Sequence, residues 1–212
     1  MTYNKFIKKI TLPIMLVLVL TSLTLAQDYA MSADKVNPVL ISSTIPDVSV
    51  KNTNGEDVRL LDLVKKQPTI FVFYRGGWCP YCNRHLADLK KIENDLTKEG
   101  YQVFAISADR PELLKNTSEK NELTYTLLSD APMNAAKAFG IAFKVDDATV
   151  KRYMDVGINL EEDSGYDHHL LPAPAVYLVD TKGKIKFNYV NPNYRERIDG
   201  NILLAAAKAF SE

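Results

Sequence analysis

The only two cysteines of this 212-residue chain, Cys79 and Cys82, are separated by a Pro-Tyr dipeptide and stand where a strand pattern gives way to a helix pattern. Upstream, Thr69-Ile70-Phe71-Val72-Phe73-Tyr74 follows Pro68 as an unbroken β-branched and aromatic run. Such a run predicts a strand covered on both faces and central in its sheet. Downstream, Pro80 suits a first helical position, Leu86, Leu89, Ile92 and Leu96 fall on one face, and Gly100 ends the period. Strand, tight turn through Gly76-Gly77, then helix is the local order.

That junction favours a reactive thiol. Cys79 at the helix cap faces unpaired backbone N–H groups and the positive end of the helix dipole, both of which favour its thiolate. Cys82 lies one helical turn deeper, so its Cβ comes within disulfide range of Cys79 with little backbone movement. A disulfide kept only for stability is a poor account of the spacing. So short a loop yields roughly 2 kcal/mol, against about 3 kcal/mol for a loop of fifteen residues, and one tight pair is not a disulfide scaffold.

The remaining pattern predicts one α/β domain over residues 45–212. Val48–Val50 and Val58–Leu60 flank Asn54-Gly55, a pair suited to the positive backbone angles of a hairpin turn. After the first helix come a strand at Gln102–Ser107, a helix from Pro111 to Lys120, a strand at Tyr125–Leu128 and a short helix from Asn134 to Phe139. Residues 141–171 are acidic, Gly-punctuated and weakly periodic, and read as a surface insertion. Two strands, Ala175–Val179 and Ile185–Val190, then turn around Lys182-Gly183 ahead of a closing helix at Ile198–Phe210. The expected fold is a central mixed sheet flanked by helices, with an N-terminal hairpin and an insertion before the last hairpin.

Residues 1–26 stand apart from this domain and read as a signal peptide. Lys5, Lys8 and Lys9 form a basic start, Ile10–Leu20 an apolar stretch and Thr24-Leu25-Ala26 a small-residue end. Left uncleaved, the same stretch would anchor the protein. Residues 27–44 lack period and read as a linker. Cleavage removes three lysines and no acid, leaving 23 basic against 26 acidic side chains, so nothing favours nucleic acid. Export to a periplasm or the extracellular space would place the thiols where a disulfide persists unless a partner reduces it.

Phe73-Tyr74-Arg75-Gly76-Gly77-Trp78-Cys79-Pro80-Tyr81-Cys82-Asn83 resembles the peroxiredoxin-like branch of the alkyl hydroperoxide reductase and thiol-specific antioxidant proteins, within the thioredoxin-like superfamily. Pro46-Asp47-Val48 with Gly55–Leu60 resembles the family's opening hairpin, and Pro172–Asp180 its late strand. The resemblance implies a thioredoxin-like fold and a thiol-dependent oxidoreductase that uses no cofactor. Cys79 would attack a peroxide or a protein disulfide, and Cys82 would resolve the product to an intramolecular disulfide. A thioredoxin-like or other thiol reductant would reset the pair.

The same resemblance puts Pro174 in the slot of a cis proline that faces the cysteines and helps bind substrate. Two slots depart from the better-known peroxiredoxins. A threonine three residues before the reactive cysteine is Gly76 here, and a later arginine is Pro174. Arg75 either supplies a cation to Cys79 or is a surface arginine at a strand end. Trp78 either offers a landing surface to a partner or simply packs, and Tyr81 sits exposed in the motif. His85 reads as a solvated helix histidine. His168-His169, just before Pro172, raise an alternative of another class: a copper- or zinc-binding chaperone using both thiolates and one imidazole. Thiol–disulfide exchange without peroxidase activity is the second alternative.

Overall fold

The structure, a computed structural model, describes residues 27–211; the signal peptide expected over residues 1–26 lies outside them. The chain opens on a hairpin of β1 (Ser49–Lys51) and β2 (Asp57–Arg59). Of the turn pair, only Gly55 has a positive φ, 79°. The Asn52 side-chain oxygen folds the loop instead, accepting the N–H groups of Asn54 and Glu56 at 2.9 and 3.0 Å. Leu60, expected in a strand, opens a short helix α1 (Leu60–Val64) and buries its side chain with that of Val64.

Then follow β3 (Thr69–Tyr74), α2 (Pro80–Lys98), β4 (Gln102–Ser107), α3 (Pro111–Lys120), β5 (Thr126–Ser129) and α4 (Asn134–Ala138). After β6 (Ala142–Lys144), α5 (Asp147–Asp155), α6 (Leu160–Ser164) and β7 (Leu170–Pro172), the chain returns as β8 (Ala175–Val179), β9 (Ile185–Val190) and α7 (Gly200–Phe210). Seven strands form one sheet in the order β2-β1-β5-β4-β3-β8-β9, and β6 pairs with β7 apart from it. β3 runs parallel to β4 and antiparallel to β8, so the sheet is mixed.

All six residues of β3 are buried, because both faces of the sheet are covered. Ile70, Val72 and Tyr74 face Cys82, Leu86 and Leu89 of α2 and Leu203 of α7. Phe71 and Phe73 face Phe139 and Tyr177, with the Phe73 ring 5.0 Å from Phe139 and 6.0 Å from Tyr177. This two-sided burial is why the sequence shows no alternation there.

Two segments expected outside the core lie against it. The linker expected at 27–44 pairs Ala30 with Phe143, and the N–H of Asn37 donates to Gly140 O at 2.9 Å. Tyr29, Val36 and Val39 rest on the same core. The insertion at 141–171 is likewise structured. Ile141, Ala142, Val145, Leu160, Leu170 and Leu171 are buried, while most of the acidic residues that made the stretch read as surface lie on or beside α5 and α6. Among the described residues no helix is long and apolar enough to cross a membrane.

Candidate functional site

The parallel strand β3 ends at Tyr74, and the chain crosses into α2 through Arg75-Gly76-Gly77-Trp78. Sites of α/β sheets form at this end of the strands, where loops diverge over exposed helix N-termini. Cys79 is the cap residue of α2, and its Sγ accepts the Cys82 N–H at 3.3 Å. The turn is held from both sides. Gly77 N–H donates to Asp109 Oδ2 at 2.8 Å, and Asn83 Nδ2 donates to Gly77 O at 2.8 Å. Both cysteines are free thiols, 1% and 0% exposed.

The capping geometry is the expected one; the charge distribution is not. Burial raises the Cys82 thiol, but the hydrogen bond from the Cys79 thiol and the positive charge of Arg197 outweigh it and bring Cys82 down to about 6. Arg197 Nη2 lies 3.4 Å from Cys82 Sγ. The Cys79 thiol is pushed up by that same shared hydrogen bond and by burial, against the pull of Arg75 and the Cys82 N–H. The two thiols therefore shift in opposite directions and share a proton, with Arg197 favouring charge on Cys82 and Arg75 favouring it on Cys79. Cys79 becomes the thiolate when the shared proton crosses to Cys82. Beside the helix terminus and Arg75, an arginine far along the chain thus acts on the pair, a contact that sequence reading missed.

Arg75 is no surface residue: it is 3% exposed. Its guanidinium lies 4.9 Å from the Trp78 ring centroid, 5.4 Å from Tyr153 and 4.2 Å from Tyr194, and it donates to the Tyr153 hydroxyl. Three rings thus replace the water that a guanidinium ordinarily keeps. Trp78 is half-buried against Tyr153 at 5.7 Å, and Tyr81 meets Tyr194 edge-on at 5.7 Å. Arg75 and Pro174 line one cavity of about 300 Å³ with Tyr153, Tyr194 and Leu171.

Pro174 itself departs from expectation, since among the described residues no peptide bond is cis. The chain around it is tied on both sides. Ala173 N–H donates to Ile141 O at 2.8 Å, and Pro174 O accepts Asn191 N–H at 3.0 Å. Strand β7 therefore runs through Pro174 into β8 in an extended path, and this carbonyl already has a partner.

Two of the three histidines, His168 and His169, have hydrogen-bond partners. His85, expected in solvent, is 6% exposed, and burial together with the charge of Arg197 pushes it down to about 4. His168 is bonded through Nε2 to Ala131 O at 2.8 Å, and its Nδ1 accepts Leu170 N–H at 2.9 Å. His169 pairs with Glu161 at 2.8 Å. Among the described residues no group of three or more His, Cys, Asp or Glu side chains is placed to hold a metal ion.

Asp109, which sequence reasoning missed, is buried beside the turn and pushed up to about 7 by burial. Its pKa is higher folded than unfolded, so the folded state binds the extra proton and stability falls as pH rises from about 4 towards 7. Asp109→Asn keeps an acceptor for Gly77 N–H and removes that loss. Urea unfolding is expected to show the variant gaining on the wild type by roughly 1 kcal/mol per pH unit across this interval; parallel curves would contradict it.

The sequence profile of the AhpC/TSA family matches residues 41–188 of the chain. The chain belongs to the AhpC/TSA family. Among AhpC/TSA relatives, peroxiredoxin Bcp of Escherichia coli K12 is 33% identical over 106 residues, which is 50% of this chain and 67% of that protein. Thiol-disulfide oxidoreductase ResA of Geobacillus thermodenitrificans is 23% identical over 159 residues, 74% of each chain. Reduced Prx3 from Vibrio vulnificus, solved in complex with hydrogen peroxide, superposes with a TM-score of 0.66 at 16% identity over 80% of this chain and 99% of that one. The fold is thus the thioredoxin-like fold of the peroxiredoxins, and the chain is a thiol-dependent oxidoreductase.

Within the AhpC/TSA frame, the missing threonine has a steric explanation. A Cβ on Gly76 would meet Trp78 Nε1 at 2.3 Å and Asp109 Oδ1 at 2.6 Å. The family threonine and this placement of Trp78 and Asp109 exclude each other. Gly76→Thr is therefore expected to lower stability by about 1–3 kcal/mol or more and to slow turnover of the thiol pair. A variant as stable and active as the wild type in urea unfolding and turnover assays would contradict the steric reading.

Proposed function

We propose that the protein reduces peroxides with Cys79 as the attacking sulfur and Cys82 as its base and resolving partner. One observation carries the reading: a buried cation, Arg75, acts electrostatically on Cys79 from within a cage of rings, while a second thiol shares the Cys79 proton. The shared proton crosses to Cys82, and the Cys79 thiolate attacks one oxygen of the O–O bond. That bond breaks, the departing alkoxide takes the proton from Cys82 and leaves as an alcohol, and Cys79 becomes a sulfenic acid. The Cys82 thiolate then attacks the Cys79 sulfur, expelling hydroxide, which takes a solvent proton and leaves as water. A thioredoxin-type dithiol supplies two electrons and two protons to restore the pair.

Depth supports a small oxidant, since sulfurs 1% and 0% exposed leave little for a folded disulfide partner to grasp. The glycine and proline in the two family slots favour the second reading, thiol–disulfide exchange, and so does the likeness to ResA. Stopped-flow mixing of the reduced protein with hydrogen peroxide, an organic hydroperoxide and a protein disulfide separates the two. Peroxide rates above those of a free thiolate are expected; rates no faster, alongside rapid disulfide exchange, would overturn the first reading in favour of the second. Export remains part of the proposal. It rests on the basic, apolar and small-residue order of residues 1–26, and N-terminal sequencing of the protein from its native envelope tests it.

A further inference from the structure

A groove of about 430 Å³ runs between α2 and the segment leading into α7, and adjoins the Arg75 cage where Tyr81 meets Tyr194. Four cations line it, Arg84, Lys91, Arg195 and Arg197, against two acids, Asp88 and Asp199. Both acids are already engaged. Asp88 bonds Lys91 at 2.7 Å, and Asp199 caps α7 by accepting Asn201 N–H at 2.8 Å. Among the described residues no carboxylate lies in ion-pair distance of Arg84, Arg195 or Arg197; each of the first two lies over a tyrosine ring instead.

Two buried polar atoms of residues that line the groove, Arg197 Nε and His85 Nε2, have no hydrogen-bond partner among the described residues. His85 is 94% buried, and an orphaned buried donor or acceptor is costly unless a ligand or water satisfies it. Arg197 belongs to two places at once. Its Nη2 touches Cys82 Sγ at 3.4 Å and its Nη1 donates to the Tyr194 and Glu196 carbonyls, while the residue also lines the groove.

We propose that this groove is a second binding site, for a small oxyanion of the sulfate, phosphate or carboxylate class, and that Arg197 couples its occupancy to the charge on Cys82. An anion seated against Arg84, Arg195 and Arg197 draws the Arg197 guanidinium towards itself and shares its positive charge. Cys82 then holds its thiolate less firmly, and the redox pair is less ionised at a given pH. Arg197 is a positioning residue here, acting on chemistry through Cys82. The proposal rests on the paired thiols alone and is independent of which oxidant they meet. The other groups that act on Cys82 are the Cys79 thiol, the Arg75 backbone N–H, Tyr74 and Asp109. None of these lines the groove.

The test is the thiolate absorbance of the reduced full chain as a function of pH. It is read in sodium sulfate and in sodium succinate, each against sodium chloride at equal ionic strength. Saturable sulfate or succinate binding is expected to raise the midpoint by about half a pH unit, roughly a threefold change in acid constant. A response to sulfate alone assigns the tetrahedral anions, to succinate alone the carboxylates, and to both the wider class. Arg197→Gln is expected to raise the anion-free midpoint and lose the response, with Arg197→Lys restoring part of it. Because Arg84 and Arg195 are exposed, the double variant Arg84→Gln, Arg195→Gln keeps the test open if Arg197→Gln fails to fold. Its half-saturating anion concentration is expected to rise several-fold. Curves in sulfate and succinate that both overlay those in chloride overturn the proposal.

Discussion

Replacing Cys79 with serine is expected to lower peroxide turnover by at least about 10³-fold, because a serine hydroxyl is not ionised at neutral pH and the one cysteine left, Cys82, is the resolving sulfur of the proposed cycle. Cys82→Ser is expected to fail differently. Cys79 still attacks, though more slowly without its proton-sharing neighbour, and the reaction stops at the sulfenic acid after one equivalent of peroxide. A sulfenate-trapping diketone distinguishes the two, labelling Cys82→Ser and leaving Cys79→Ser unlabelled. The reverse pattern would exchange the roles of the two sulfurs. Such an exchange would rest on Arg197, which lies 3.4 Å from Cys82 Sγ and favours its thiolate.

The second large effect is expected from Arg75. Arg75→Met keeps most of the volume among Trp78, Tyr153 and Tyr194 but removes the cation that acts on Cys79. Loss of one buried charge beside a reacting centre corresponds to about 10²-fold in rate. Tyr153→Phe, which removes only the hydroxyl that Arg75 bonds, is expected to lose much less. Thermal unfolding separates a rate effect from a folding failure. A folded Arg75→Met protein that reacts with peroxide as fast as the wild type would show that the cage serves stability and not chemistry.

Much of the framework was legible because it is local. The run Thr69–Tyr74, the proline at the start of α2 and the leucines on its buried face each carry their own period, and the cysteine pair lies where these patterns meet. The Cys79 cap was legible for the same reason. What sequence reading missed is non-local. Arg197 reaches Cys82 from the segment before the last helix. Tyr153 and Tyr194 close on Arg75 from α5 and from the loop after β9. No spacing rule links such positions.

The surface reading of residues 141–171 failed through averaging. Six buried apolar residues are distributed among acidic ones over β6, α6, β7 and the two positions flanking β6, so no window shows a clean period. Asp109 had a weak signal, a carboxylate just beyond the C-terminal end of a buried strand. That is where α/β sheets gather their functional groups. His85 was misjudged because a single helix histidine says nothing about the arginine above it.

The most direct test is intact-mass analysis of the fully reduced protein after one equivalent of peroxide. The expected product is the monomer lighter by two hydrogens, with Cys79 and Cys82 joined within one chain and about one equivalent of peroxide consumed. A protein that keeps both thiols free under conditions that oxidise a simple thiol, or that becomes oxidised only between chains, would contradict the cycle built on this pair.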